Sequence, residues 1–360
     1  TLDIGNTDRL NIFRQEAKRL GVKIAPPDIN RSDAVFAADA GNGVIFYALA
    51  AVKGVGRAAM DHVVELRAKG GPFKSVADFA SRVDPRLVNK RAFENLARAG
   101  AFDGLNRNRR QLVENADRVL SGAQAAQRER ESGQVSLFGG QAHAQELRLA
   151  SVADWPVHER LGEEFSAMGF YLSGHPLDNY GAALKRLGVS SYASLGEDRR
   201  SGFKVKLAGT LIKKSERRGR NDQAFAFAAF SDASGMFEVM LFPEVLAASR
   251  PLLEAGKSLL ITASADWDGD ELKLRAASVT DLDRAAAEAG EGMVVRLDSE
   301  ISLSAIAAEL VHPGKGLVCF VVPGPSGEEA EIALGRRYAV TASLRSAIAA
   351  MPGVIAVEAV

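Results

Sequence analysis

The sequence Val52-Lys53-Gly54-Val55-Gly56-Arg57 joins two segments with helical periodicity and decides the fold of the region around it. Its two glycines let the backbone turn sharply and pass close to another surface, because no Cβ stands in the way. The N–H groups that open the following helix lack partners within that helix and carry the positive end of its dipole, so they suit an anion. We therefore predict a helix-hairpin-helix that holds a DNA phosphate through residues 53–57 without reading base sequence.

Charge is unevenly distributed, although the whole chain has a formal net charge of zero at pH 7. Residues 51–110 contain 13 Lys and Arg against 6 Asp and Glu, whereas residues 290–360 contain 5 against 8. Separated charge favours different partners for different regions. A plain turn between two helices would use the same glycines, but the surrounding positive charge favours phosphate binding. A second helical pair at 85–104 lacks the Gly-x-Gly turn, so its DNA contact stays open.

The chain of 360 residues is long enough for several domains, and its periodicity changes along its length. Helical patterns cover 8–20, 45–52, 57–69, 75–83, 89–100 and 107–130. We predict a multidomain α+β protein. Its expected parts are a terminal helix with a Pro-Pro connector (1–45), a helical helix-hairpin-helix domain (46–120), a flexible linker (121–150), a helical connector (151–200), a five-stranded OB-type β-barrel (201–285) and a small C-terminal α/β domain (286–360).

The predicted linker contains a short motif, Gln134-Val135-Ser136-Leu137-Phe138. Its surroundings are rich in Gly, Gln and charged residues, which is typical of a flexible segment without a core of its own. A polar anchor ahead of an apolar pair is the layout of a docking peptide, with Gln134 at a pocket rim and Leu137 and Phe138 in an apolar cleft. The alternative, that the pair folds back on a neighbouring helix, stays open.

The barrel is predicted from a change to alternating hydrophobicity at Phe203. Five strand-like runs with a helix between the third and fourth, at 243–256, are typical of an OB-type barrel. The runs are 205–214, 224–232, 237–242, 258–266 and 272–283.

A basic loop is predicted between the first two strands, and such loops clasp single-stranded nucleic acid in OB folds. Its candidate DNA contacts are Lys213, Lys214, Arg217, Arg218 and Arg220. Phe225 and Phe227 lie two apart on the next strand and share one face. They would either stack on bases or fill the barrel core, and the core is the favoured interpretation.

Catalytic and metal-binding patterns are not visible in the sequence. The single cysteine, Cys319, excludes a disulfide within the chain and a Cys-based zinc site, and it fits a reducing cytoplasm. The five histidines are scattered without ligand spacing. We predict no catalytic residue, metal site or cofactor, and no run is apolar enough for a bilayer. Because the chain begins at Thr1 without a signal-peptide pattern, we expect a piece of a longer cytoplasmic protein.

Six motifs follow one another along the chain. They are NIFRQEAKRLGVKIAPPDIN (11–30), FYALAAVKGVGRAAMDHVVELRAKGGPF (46–73), NKRAFENLARAGAFDGL (89–105), QVSLFG (134–139), MGFYLSGHPLDNY (168–180) and SGMFEVMLFPEVL (234–246). Taken in order, these motifs resemble the C-terminal part of the alpha subunits of bacterial DNA polymerase III, the replicative C-family polymerases. The resemblance covers nearly the whole chain and is most specific up to about residue 285.

The resemblance implies the end of a fingers domain at 1–45 and duplex contacts by the helix-hairpin-helix domain. It also implies a sliding-clamp motif at 134–138, an OB fold near the single-stranded template and a C-terminal domain that binds the tau subunit of the clamp loader. The catalytic carboxylates and their Mg²⁺ would belong to a palm domain outside these residues. The chain is therefore expected not to polymerise DNA by itself.

Other functions stay open. An error-prone C-family polymerase would share most of these motifs, although the clamp motif and the long C-terminal tail favour the replicative form. A stand-alone single-strand DNA-binding or repair protein would use the same modules. A ligase would need a lysine nucleophile and a nuclease would need clustered acids, and neither pattern is visible.

Overall fold

The computed structural model describes residues 4–5, 7–39, 41, 43–132, 147–196, 202–219, 222–269, 271–298, 303–324 and 328–360. The chain divides into two compact units, Thr1–Gly174 and His175–Val360. The multidomain α+β architecture predicted from the sequence is confirmed.

The first unit is mainly helical. Its helices are α1 (Thr7–Arg19), α2 (Arg57–Gly70), α3 (Val76–Arg82), α4 (Lys90–Arg98), α5 (Arg109–Glu114), α6 (Ala116–Ser132) and α7 (Val157–Met168), and its strands are β1 (Lys23–Ala25), β2 (Ala37–Asp39) and β3 (Val44–Phe46). The three short strands form one sheet in the order β1-β3-β2. The core of the unit includes five buried phenylalanines, among which Phe79 lies 5.2 Å from Phe73 and 5.0 Å from Phe102 between ring centroids.

One predicted helix is not formed. Residues 44–46 are strand β3 and only Leu49–Ala51 makes a single 3₁₀ turn, so the segment 45–52 is not an α-helix. Val44, Ile45 and Phe46 instead pair on one side with β1 and on the other with β2. β-branched and aromatic residues favour such pairing, and tertiary contacts override the helical periodicity.

The predicted linker and connector are divided differently in the structure. Helix α6 extends into the linker region as far as Ser132, and Ala123 within it is fully buried. After this, Leu147 and Leu149 pack against the core of the first unit. The connector predicted for 151–200 is split, because residues up to Gly174 belong to the first unit and residues from His175 to the second.

A buried ion pair attaches α7 to the helix-hairpin-helix region. Nη1 of Arg109 lies 3.3 Å from Oε2 of Glu164, and the two side chains are 3% and 2% exposed. Arg109 also binds both carboxylate oxygens of Asp103, at 2.9 and 2.7 Å. The second oxygen of Glu164 accepts the N–H groups of Leu172 and Ser173. These contacts explain why residues 157–174 join the first unit.

The second unit contains the predicted barrel. Its strands are β4 (Phe203–Arg218), β5 (Ala224–Ser231), β6 (Met236–Leu241), β7 (Ser258–Asp268) and β8 (Glu271–Asp281), preceded by helices α8 (Gly181–Arg186) and α9 (Tyr192–Leu195) and interrupted by α10 (Pro243–Ser249). The strands close in the order β4-β5-β6-β8-β7, with β6 and β8 parallel and the other pairs antiparallel. This order, with the helix between the third and fourth strands, is that of an OB-type barrel.

The C-terminal residues form the predicted small α/β domain after helix α11 (Leu282–Glu288). In its described residues, two helices and five strands build it around a core that contains Val295, Ile306, Phe320 and Ile348. Its sheet has the order β12-β11-β9-β13. The elements are β9 (Met293–Leu297), α12 (Leu303–Glu309), β10 (Pro313–Gly316), β11 (Val318–Pro323), β12 (Glu329–Ala333), α13 (Ala342–Ala349) and β13 (Val354–Ala359).

Buried polar contacts join this small domain to residues 175–191 and to the end of the barrel. Asp283 accepts the hydroxyl of Tyr180 and the N–H of Ala342, each at 3.0 Å. Within the small domain, Nη1 of Arg345 lies 2.5 Å from Oε2 of Glu291, and both side chains are buried. Arg345 also donates to the carbonyl of Asn179.

Candidate nucleic-acid interface

The turn between the 3₁₀ helix and α2 has the conformation that its glycines predict. Gly54 has a φ of +73°, in the left-handed region that favours glycine. A Cβ at this position would also lie 2.9 Å from Nε of Arg91 and 3.2 Å from Nδ2 of Asn95. The backbone conformation therefore favours glycine at position 54, and a Cβ there would also displace the Arg91 side chain.

Helix α4 supports this turn from behind. Nδ2 of Asn95 donates to the carbonyl of Lys53 at 2.6 Å, and the N–H of Lys53 donates to the carbonyl of Ala167 at 2.9 Å. The exposed guanidinium of Arg91 consequently lies beside the turn. Arg91 and Asn95 were not predicted from the sequence, because they lie far from the turn along the chain and follow no motif spacing.

The N-terminus of α2 is open to an anion. Gly56 precedes the helix with a φ of −78°, no side chain caps its N–H groups, and its first turn contains no acid. No atom lies within 4 Å of the position that a Cβ on Gly56 would take. Uncapped helical N–H groups at an accessible helix start suit a phosphate.

Helix α4 offers a contrast at the second helical pair. Its N-cap residue, Asn89, accepts the N–H of Ala92 at 2.9 Å, so one of the donors that a phosphate would need is already used. The hydrogen bond to Asp117 raises the pKa of Lys90, the first residue of that helix. The open N-terminus of α2 is thus the better anion site.

Two cations flank the open helix start. Lys53 is exposed, and its ammonium lies 5.9 Å from the ring centre of Phe165. Arg57 has 69% of its side chain exposed and is 3.6 Å from Asp61 within the same helix. An exposed ion pair of this kind contributes little to stability, so the guanidinium of Arg57 is available to a stronger anion.

The basic segment of the barrel is a strand and not the predicted loop. Strand β4 continues through Arg218, and Lys213, Ser215 and Arg217 lie opposite Ala229, Phe227 and Phe225 of β5. The charged stretch stays extended because its aliphatic stems pack beside these apolar partners. The guanidinium carbon of Arg217 lies 5.3 Å from the ring centre of Phe227.

Phe225 and Phe227 lie outside the barrel core, so the favoured interpretation of this pair was wrong. The neighbouring residues Ala226 and Ala228 are fully buried and point inward, which places both rings on the outer face. The rings are half-buried, with centroids 5.6 Å apart in an edge-to-face arrangement. Alternation along the strand fixes this choice, because small alanines leave the interior to Phe230 and its neighbours.

The basic residues of the β4–β5 hairpin are not equivalent. Arg218 binds both oxygens of Asp222 at 2.8 and 2.7 Å, and Lys214 lies 3.7 Å from Glu216. Lys213 and Arg217 share the face that carries the two phenylalanines. Arg220 lies outside the described residues, as does the predicted docking motif Gln134–Phe138.

Other chemistry is weakly represented in the described part of the chain. Among those residues, no group of three or more His, Cys, Asp or Glu could hold a metal ion. Burial raises the pKa of the Cys319 thiol, which disfavours a reactive thiolate. Within the same described ranges, no helix is both long and apolar enough to cross a membrane.

Comparison with known proteins agrees with these modules. The helix-hairpin-helix motif family matches residues 21–112. The DNA polymerase III alpha subunit of Caulobacter vibrioides is 39% identical over 364 aligned residues, which cover 99% of this chain and 32% of the relative. The chain is a relative of the DNA polymerase III alpha subunits.

The matched region covers only part of the length of each alpha subunit. The alpha subunit of Pseudomonas aeruginosa is 30% identical over 84% of this chain and 27% of its own length. The chain thus spans about a third of the length of the alpha subunits that it matches. Among solved structures, the mitochondrial single-stranded DNA-binding protein Rim1 of S. cerevisiae is 16% identical, with 22% of this chain and 96% of that chain covered and a TM-score of 0.21.

Proposed function

We propose that this chain is the DNA-holding and partner-docking part of a DNA polymerase III alpha subunit in DNA replication. The observation that carries the proposal is the hairpin, in which a glycine with positive φ precedes an uncapped, acid-free start of α2 flanked by Lys53 and Arg57. Such a site binds the backbone of duplex DNA through phosphates and reads no bases.

The barrel supplies the second DNA contact in this proposal. Arg217, Phe225 and Phe227 give its outer face a cation and two half-exposed rings. Aromatic rings of this kind stack on unpaired bases, whereas paired bases inside a duplex are not available. The chain thereby holds both the duplex and the single strand of a primed template.

The partners beyond DNA are proposed from the family relationship and from the sequence motifs. The segment Gln134–Phe138 docks on the sliding clamp, the C-terminal domain binds the tau subunit of the clamp loader, and the remainder of the polymerase chain supplies the active site. This part of the polymerase uses no cofactor of its own and works in the cytoplasm.

The hairpin is tested by the salt dependence of duplex binding. Lys53→Ala, Arg57→Ala and Arg91→Ala should each reduce the slope of log K against log salt by about 0.9, because each removes one phosphate contact. The control is Lys69→Ala, which removes a cation paired with Glu65 at the far end of α2 and should leave the slope unchanged. Three slopes equal to that of the wild type would reduce the hairpin to a plain turn between helices.

The outer face of the barrel is tested with single-stranded DNA. Phe225→Ala combined with Phe227→Ala should weaken oligodeoxythymidine binding by about 1–3 kcal/mol per stacked base and leave duplex binding nearly unchanged. Ile355→Ala is the control, because this residue is 68% exposed in the C-terminal domain and its loss should not change DNA binding. Equal weakening on both DNA forms would assign the rings a general structural role.

A further inference from the structure

A continuous row of outward-facing residues runs around the outside of the barrel. It starts on the aromatic face, which carries Phe225 and Phe227, and ends near the start of β4. Phe227 lies opposite Met240, Met240 opposite Arg275, Arg275 opposite Ser264, and Ser264 opposite Lys204. We call these five residues the outer belt. Its four steps between strands, at about 4.8 Å each, span about 19 Å of surface.

The belt faces outward along its whole length. Its members on β5, β6, β8 and β7 each stand between two buried neighbours: Ala226 and Ala228, Val239 and Leu241, Leu274 and Ala276, and Ala263 and Ala265. The belt residues themselves are half-buried or exposed. Alternation therefore assigns every belt side chain to the surface.

The chemistry of the belt changes from one end to the other. Phe227 and Met240 offer apolar contact, whereas Arg275, Ser264 and Lys204 offer cations and a hydroxyl group. A second row beside it continues the polar end, with Lys206 opposite Thr262 and Thr262 opposite Ser278. A single strand can stack its bases on the aromatic end of the belt and place its phosphates against the cations and hydroxyl groups at the polar end.

The cations at the polar end differ in their contacts. Arg275 lies 2.7 Å from Asp266 and keeps 46% of its side chain exposed. Lys206 is exposed and donates to the carbonyl of Leu187 at 3.2 Å. Lys204 is exposed and has no ion pair within the ranges that the structure describes. At the tip of the β7–β8 hairpin, Lys273 donates a hydrogen bond to Asp268, and this bond raises the pKa of Lys273.

We infer that a single strand on the aromatic face continues along the outer belt, where Lys204 and Ser264 of the belt and Lys206 of the row beside it bind its backbone phosphates. This inference rests on the proposed single-strand binding by Phe225 and Phe227. It assigns a ligand to a surface on β4, β7 and β8 on which no DNA-binding motif was recognised in the sequence. The ligand class is the sugar-phosphate backbone of single-stranded nucleic acid.

The test is a length series of oligodeoxythymidine bound to the full chain, from about 4 to about 16 nucleotides. Lys204→Ala combined with Lys206→Ala should keep wild-type affinity for the shortest oligomer and lose most of the gain that the longer oligomers provide. The salt slope for the longest oligomer should fall by about 1.4, because each phosphate on a single strand contributes about 0.7. Lys204→Arg with Lys206→Arg should restore the slope, since charge is kept.

A matched control removes two cations from the same unit outside the belt. Lys257→Ala with Arg284→Ala takes away residues that are paired with Glu254 and Glu288, and it should leave the length dependence unchanged. If the lysine variant keeps the wild-type length dependence while Phe225→Ala with Phe227→Ala weakens the binding of every oligomer, the single strand does not follow the outer belt. If the phenylalanine variant binds every oligomer normally, the proposed aromatic site itself fails.

Discussion

Substituting Leu137 and Phe138 together with alanine is expected to abolish binding to the sliding clamp while the melting temperature stays within about a degree of the wild type. Burying these side chains in a partner's cleft stabilises the complex by roughly 1.5–3 kcal/mol each. Losing both removes about 3–6 kcal/mol, which is at least a hundredfold in affinity. Ordering the peptide on binding offsets part of the gain, so the wild-type complex is expected near micromolar affinity.

The measurement is a titration of purified clamp beside a thermal melt of each variant. Gln134→Ala should cost about 0.5–1.5 kcal/mol, because it removes one hydrogen bond at the rim of the cleft. Val157→Ala is the control: it removes an apolar side chain that is 63% exposed on α7, and clamp affinity should not change. A double variant that melts several degrees lower and binds the clamp normally would place the pair in a core.

Arg109→Met is expected to destabilise the first unit by about 3–5 kcal/mol, because it leaves the carboxylate of Glu164 buried without its cation. Glu164 is 2% exposed and would retain the hydrogen bonds from the N–H groups of Leu172 and Ser173 and a longer-range interaction with Arg14. The same change at the next residue, Arg110→Met, is the control. It breaks a pair with Glu114 whose side chains are 38% and 45% exposed, so it should cost less than about 1 kcal/mol.

Urea unfolding measures this difference if the two units are followed separately. The two tryptophans lie in different units, Trp155 in the first and Trp267 in the second. In a Trp267→Phe background, Trp155 fluorescence reports the first unit alone. The midpoint should fall with an unchanged slope, which identifies a loss of stability rather than a change in the unfolded state. Equal midpoints for the two methionine variants would mean that the buried pair contributes nothing net.

Local patterns predicted much of the fold. The barrel followed from five alternating runs and one intervening helix, and strand order confirmed it. The turn at Gly54 followed from two closely spaced glycines, and its positive φ confirmed the conformation. The DNA-binding roles of residues 53–57 and of the barrel residues stay predictions.

Features that depend on distant contacts were not predictable from local patterns. Arg91 reaches the hairpin only because α4 packs behind Gly54. The basic segment of β4 was predicted to be a loop because it is highly charged. Its pairing with Phe225 and Phe227 of β5 shows that it is a strand. Helix α7 packs on the first unit through distant contacts such as the Arg109–Glu164 pair, whose members are 55 residues apart. Similarly, the outer belt depends on strand register around a closed barrel.

In the proposed role on DNA, the contact between Asp283 and the C-terminal domain has a mechanical consequence. A load on the C-terminal domain reaches the end of the barrel through the hydrogen bond from Ala342 to Asp283, two residues after β8, as well as through the peptide chain of α11. Because these two connections share the load, the barrel and this domain move together under a pull. A partner that binds and pulls the C-terminal domain would thereby also pull the barrel face that we propose to bind DNA.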